Sequence, residues 1–254
     1  MSTTAIAGRE EELSTIRRFL AELAEGPAAL VISGEPGLGK TVLWEIACED
    51  ARRQPGWLLS WRGVEAEAMF AFAGLSELLT GVLEGVASTL AGPRRRALEV
   101  ALLLAEPNGQ APDAHAIGLA LLDVLGALCQ TGPVLVALDD VQWLDASSVA
   151  VLQVAMRRLR QQPVGVLMTL RDEPRSRMPF ELERSLSAQR ITRLSLSALE
   201  RDAFKQLFRQ RLEPELRPSD LALLHESSGG NPVLRAGAGP VRSTPRASIA
   251  RARA

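Results

Sequence analysis

The chain has 254 residues, 46% of them hydrophobic, which is enough to bury the core of one large domain or of a domain with a small appendage. Its net charge of -1 and pI near 6.2 exclude a global electrostatic attraction to nucleic acid or to a membrane surface, so such a partner has to be read locally. The N-terminus lacks a basic start followed by an apolar stretch, and no uncharged run reaches membrane-spanning length. A cytoplasmic protein without membrane contact is expected.

From Arg9 to Glu25, Leu13, Ile16, Leu20 and Leu23 recur at helical spacing and predict an amphipathic helix. The apolar run AALVIS, Ala28 to Ser33, predicts the first strand, and it leads directly into GEPGLGKT, Gly34 to Thr41, and then a helix to about Arg53. A second strand is expected at WLLSWRG, Trp57 to Gly63. The stretch from there to about Gln130 is mostly helical, interrupted at AGPRRR and EPNGQAPD, where Pro and Gly mark connections. Cys48 and Cys129 fall in helical stretches without metal-ligand spacing and read as small buried hydrophobes of a reducing compartment.

VLVALDD from Val134 predicts a third strand ending in two acids, followed by a helix that Asp145 or Ser147 caps. VGVLMTLRDEP from Val164 is a fourth strand ending at Arg171, and ITRLSLSAL from Ile191 a fifth. Two helices follow, over Glu200–Arg211 and Pro218–Ser228. Strands alternating with helices imply a mainly parallel sheet covered on both faces, with ligands beyond the carboxyl ends of its strands. GEPGLGKT, the acid pair and Arg171 all fall at that end.

GEPGLGKT follows the P-loop pattern G-x-x-x-x-G-K-[ST]. Lys40 is one of two lysines in a chain that otherwise takes its positive charge from arginine, and a compact ammonium on a flexible stem suits a phosphate cluster. Gly34, Gly37 and Gly39 let backbone N–H groups turn inward, Lys40 reaches the β- and γ-phosphates, and the Thr41 hydroxyl ligates Mg²⁺. The nucleotide cradle is Gly34, Glu35, Pro36, Gly37, Leu38, Gly39, Lys40, Thr41 and Val42. Asp139, ending an apolar strand, is expected to hold the Mg²⁺ shell opposite Thr41, with Asp140 orienting the attacking water. A solvated pair of acids at a strand end is the plain alternative. Trp143 reads as packing, and His115 and His225 lack partners at ligand spacing and receive no role.

GREEEL near the start, GEPGLGKT, VLVALDDVQWLD, the strand ending TLRDEP, and SSGGNP together resemble the nucleotide-binding domain of the STAND class of signal-transduction ATPases, within the AAA-like P-loop group. Their order and the DDVQWLD string are most similar to the large ATP-binding transcriptional regulators of the LuxR family, of MalT-like type. The resemblance runs from about Ala7 to Val233. It implies a three-layer α/β P-loop NTPase fold with a five-stranded, mainly parallel sheet over residues 1–198, and the start of a small helical lid over 199–234. It also implies that Gly8 and Arg9 lie against the adenine side, that Arg171 senses the γ-phosphate, and that Pro232 contacts the base or helps close the lid.

The expected function is therefore ATP·Mg²⁺ binding with slow hydrolysis that switches the domain between states, with self-association in a full-length regulator. A P-loop kinase of a small molecule, or an ATP-holding module without turnover, are the alternatives; a metabolite-phosphorylation screen and single-turnover hydrolysis separate them. After Leu234 the sequence turns to Arg, Ala, Gly, Pro and Ser without an acid, so residues 235–254 are expected to be disordered and the chain to be a truncated regulator. Without aromatic interleaving or a recognition helix, no DNA recognition by this chain alone is expected.

Overall fold

A computed structural model describes residues 8–107, 109, 113–172 and 179–211. The expected helix over Pro218–Ser228, Pro232, His225 and the 235–254 segment lie outside the described residues.

Five strands form one sheet: β1 (Ala28–Gly34), β2 (Trp57–Arg62), β3 (Val134–Asp139), β4 (Val164–Arg171) and β5 (Ile191–Ser195). Their spatial order is β2-β3-β4-β1-β5, and every pairing is parallel, where the sequence implied only a mainly parallel sheet. β1 lies between β4 and β5, with Ala28 opposite Gly165 and Gly34 opposite Arg171 on one side, and Ala29 opposite Ile191 on the other. A strand paired on both edges and covered on both faces must be apolar throughout, which is why AALVIS shows no polar alternation.

The alternation instead sorts side chains between two cores. Ala29 and Val31 face α3 (Ala73–Leu79), α4 (Leu83–Val86), α5 (Gly92–Ala101), α6 (Ala114–Cys129) and α7 (Ala146–Met156). Ala28, Leu30 and Ile32 face α1 (Glu10–Ala21) and α2 (Lys40–Arg52), against Ile16, Phe19, Leu43 and Ala47. Leu30 and Ile32 are fully buried, each contributing about 1.5–3 kcal/mol by leaving water.

The first predicted helix is shorter than its hydrophobic pattern. α1 ends at Ala21, and a 3-10 turn over Leu23–Glu25 carries Leu23 into the same core. AGPRRR is both a connection and a helix start, because Pro93 lies in the first turn of α5, where a missing N–H costs nothing. Asp145, rather than Ser147, caps α7 by accepting from Ser148 N at 2.8 Å. The same buried carboxylate accepts from Phe72 N at 2.9 Å and Gly74 N at 3.1 Å, so one side chain starts two helices. This tie holds the connection after β2 against the segment after β3. Cys48 is buried and Cys129 half-buried, and burial pushes their thiols up to about 12 and about 11. Among the described residues no helix is long and apolar enough to cross a membrane.

Candidate functional site

β1, β3 and β4 end at the same edge of the sheet, and the chain's site candidates collect there. Beyond β1 the backbone wraps through Glu35, Pro36, Gly37 and Leu38 into α2, whose N-terminal neighbour Gly39 is left-handed at φ 93°, with open space where a Cβ would stand. Only glycine adopts that turn without strain. Among the described residues no side chain caps α2, so the partial positive charge of its first N–H groups is directed at the loop. Val42 packs at the margin of the core behind it. Gly34 is required for a second reason: a Cβ there would meet the Leu196 carbonyl oxygen at 3.0 Å, in the segment leaving β5.

The Lys40 ammonium folds back into the loop, donating to the Gly34 carbonyl at 2.7 Å and the Glu35 carbonyl at 2.9 Å. Burial lowers its pKa, and the Arg171 charge acts in the same direction, while Asp140, Asp139 and Asp172 oppose them. The lysine therefore shares one electrostatic environment with both acids and the strand-end arginine.

Asp139 is fully buried. Its Oδ1 accepts from Thr169 Oγ1 at 2.6 Å and from Thr41 Oγ1 at 3.3 Å, whereas Oδ2 has no hydrogen-bond partner among the described residues. The nearest cation among the described residues, Arg62 Nε, stands 3.5 Å from Oδ2. Burial raises the Asp139 pKa; the Thr169 hydrogen bond opposes this, the Asp140 charge adds to it, and Thr41 and Arg62 oppose it further. Asp140 occupies the left-handed region at φ 51°, a conformation that Asp tolerates better than most residues. Its N–H donates to Thr169 Oγ1 at 2.7 Å, and its Oδ1 accepts from Gln142 Nε2 at 2.9 Å. Thr169 thus fixes both members of the acid pair. It is fully buried on β4, in the quoted TLRDEP stretch, but an isolated Thr in an apolar strand carries no signal of this duty.

Arg171 lies with its guanidinium carbon 5.5 Å from the centre of the Trp143 ring, so the tryptophan read as packing is also a platform for the proposed sensor. Arg9 is nearly buried. It pairs with Glu12 at 2.9 Å and donates to the carbonyls of Leu38 at 3.2 Å and Ser197 at 2.6 Å, joining α1, the glycine-rich loop and the segment after β5. A Cβ on Gly8 would collide with Ala203 of α9 (Arg201–Arg211), so the chain beside Arg9 and the last described helix are in close contact. His115 is exposed at the start of α6 and takes no part.

Among the described residues no group of three or more His, Cys, Asp or Glu converges. The donor set at the strand ends is a hydroxyl and a carboxylate with one free buried oxygen. That fits a hard divalent cation which takes few protein ligands and completes its shell with phosphate oxygens and water.

A glycine-rich loop between a central parallel strand and a helix, with a buried strand-end Asp facing its Thr, defines a P-loop NTPase. Residues 5–168 match the model of the AAA ATPase domain, and the chain belongs to that family. An uncharacterized protein of Rhizobium meliloti (strain 1021) is 27% identical over 259 residues, covering 90% of this chain; the chain spans 24% of that curated relative's length. Among solved structures, the ORC2 protein of Aeropyrum pernix, in ADPNP and ADP complexes, aligns at TM-score 0.54 and 17% identity over 91% of this chain and 62% of its own. The HORMA:CdnC:Trip13 complex of E. coli MS115-1 contains a chain aligning at TM-score 0.52 and 14% identity, over 88% of this chain and 74% of that one. These likenesses establish the fold.

Proposed function

We propose that this AAA ATPase domain is the ATP·Mg²⁺-dependent switch module of a larger, cytoplasmic STAND-type transcriptional regulator of the LuxR family. The observation that carries the nucleotide site is the convergence of Lys40, Thr41 and Asp139, with the Asp139 Oδ2 buried and unsatisfied. The regulator class rests on the order of the five motifs from GREEEL to SSGGNP.

In this reading Lys40 exchanges the Gly34 and Glu35 carbonyls for β- and γ-phosphate oxygens, and the N–H groups from Gly37 to Val42 cradle the anion. Thr41 and Asp139 hold Mg²⁺, which when bound offsets charge on the phosphate oxygens. Asp140 orients the water that attacks the γ-phosphorus, and Arg171 reports whether the γ-phosphate is present. Gly8 and Arg9 border the adenine side, Arg9 acting through the Leu38 carbonyl that it holds. α9 begins a helical lid, and Pro232 contacts the base or helps to close that lid. Hydrolysis is slow and resets the switch; self-association belongs to the full-length protein, and DNA recognition does not belong to this chain.

Equilibrium binding of a fluorescent ATP analogue, with and without Mg²⁺, tests the site. Tight binding that needs Mg²⁺ and is lost in Lys40→Ala, with unchanged helical circular dichroism, is the expected result. Unchanged affinity in that variant removes the assignment. Single-turnover hydrolysis then separates the switch from a holding module.

A further inference from the structure

Arg62 has been given no role in nucleotide or metal binding, yet it stands beside the site's most costly group. It ends β2 directly opposite Asp139 in the parallel register, and Gly63 N bonds the Asp139 carbonyl at 2.9 Å, so its backbone is fixed at the site's edge. Its side chain is half-exposed at 52%, so moving off Asp139 costs it little further desolvation. One end of the guanidinium, Nε, faces Asp139 Oδ2 at 3.5 Å, too far for a hydrogen bond. The other, Nη1, bonds Glu45 Oε1 at 3.2 Å. Glu45 lies on α2 one helical turn beyond Thr41, at comparable exposure, and this bond, already made, leaves the guanidinium a resting place when Nε moves off Asp139.

A buried carboxylate oxygen without a donor is disfavoured unless a cation stands near it. Arg62 is that cation here, and a divalent metal on Asp139 meets the same positive charge as a competitor. We propose that Arg62 is a tethered counter-ion that competes with Mg²⁺ for Asp139, withdraws onto Glu45 when the metal engages, and so sets the Mg²⁺ concentration at which the nucleotide site fills. The inference rests on Asp139 being the metal carboxylate.

The test is a MgCl₂ titration of fluorescent ATP analogue binding by the full chain at constant ionic strength. Arg62→Gln should lower the half-saturating Mg²⁺ by about fivefold, a size typical of one partly screened charge. Glu45→Gln, which removes the resting place, should raise it, and Arg62→Lys should stay near the parent chain. Metal-free nucleotide affinity should change by less than about twofold in each. An unchanged or raised half-saturation in Arg62→Gln overturns the inference, as does a fall in metal-free affinity, which would make Arg62 a phosphate ligand. If Asp139→Asn itself leaves the Mg²⁺ dependence intact, the reading of Asp139 fails. If that variant abolishes the dependence while Arg62→Gln matches the parent, only the role of Arg62 fails.

Discussion

Replacing Thr169 by valine keeps the shape of a fully buried side chain and removes one hydroxyl, which makes it a direct probe of how the acid pair is held. The hydroxyl donates to Asp139 Oδ1 at 2.6 Å and accepts from Asp140 N at 2.7 Å. A hydrogen bond to a charged group is worth about 1.5–3 kcal/mol, and orphaning the Asp140 N–H costs about 1–3 kcal/mol more. Thr169→Val should therefore lose about 3–5 kcal/mol, which lowers Tm by ~6–20 °C in a domain of this size. The loss should depend on pH with a definite sign. Asp139 has a raised pKa in the folded chain, so its contribution is fully present below the unfolded carboxylate value and is lost as pH rises through the folded one. The Thr169 bond counters that rise, and its absence raises the folded value further. The deficit of the variant should thus be smaller at pH 4, close to the unfolded carboxylate value of 3.8, than at pH 8. Thr169→Ser, which keeps the hydroxyl and loses a methyl, should cost about 1 kcal/mol. Urea denaturation of the metal-free chain at both pH values measures all of this. A valine variant within about 1 kcal/mol of the parent at pH 8, or an equal deficit at both pH values, refutes the reasoning.

Asp139→Asn should remove the Mg²⁺ dependence of nucleotide binding and, in the metal-free chain, abolish the loss of stability that the parent shows as pH rises through the Asp139 titration. Asp140→Asn should retain Mg²⁺·ATP and lose hydrolysis; equal loss of affinity in the two variants would mean that the roles are divided wrongly. Arg171→Ala should reduce discrimination between ATP and ADP more than it reduces ADP affinity, and a uniform weakening of both nucleotides defeats the sensor role. Asp145→Ala leaves the N–H groups of Phe72, Gly74 and Ser148 without their acceptor and should cost about 4 kcal/mol, with faster hydrogen exchange in α3; a loss below about 1 kcal/mol would show that water replaces the carboxylate.

All five strands begin where the sequence places them, at Ala28, Trp57, Val134, Val164 and Ile191, because the first four are largely apolar runs and the fifth alternates, each preceded by Gly, Pro or charge. The glycine-rich loop and strand-end acids were equally legible, since their residue types are tied to local backbone geometry. What escaped was everything that depends on which strands become neighbours. Arg62 meets Asp139 only because β2 pairs with β3, and Thr169 meets it only because β4 lies on the other side of β3. Arg9 read as an adenine-side residue by resemblance. Its carbonyl partners, 29 and 188 residues away, carry no local pattern that periodicity could expose. Asp145 was recognised as one possible cap of one helix, and its second duty, at α3, is again a contact across the chain.

The place of β1 between β4 and β5 also sets a timetable for synthesis. The strand leaves the ribosome early, but its first partner residues, from Gly165 on, follow more than a hundred residues later, and those of β5 later still. At 5–20 residues per second, this apolar segment waits roughly 7–27 s without a sheet neighbour. α1 and α2, which flank it in sequence, can cover one of its faces first, and α3 to α7, all made before β4, supply the cover of the other. The glycine-rich loop, anchored to Ser197 through Arg9, acquires its final geometry only after β5 and Ser197 have been made, so nucleotide capture on a nascent chain reports completion of the sheet rather than emergence of the loop.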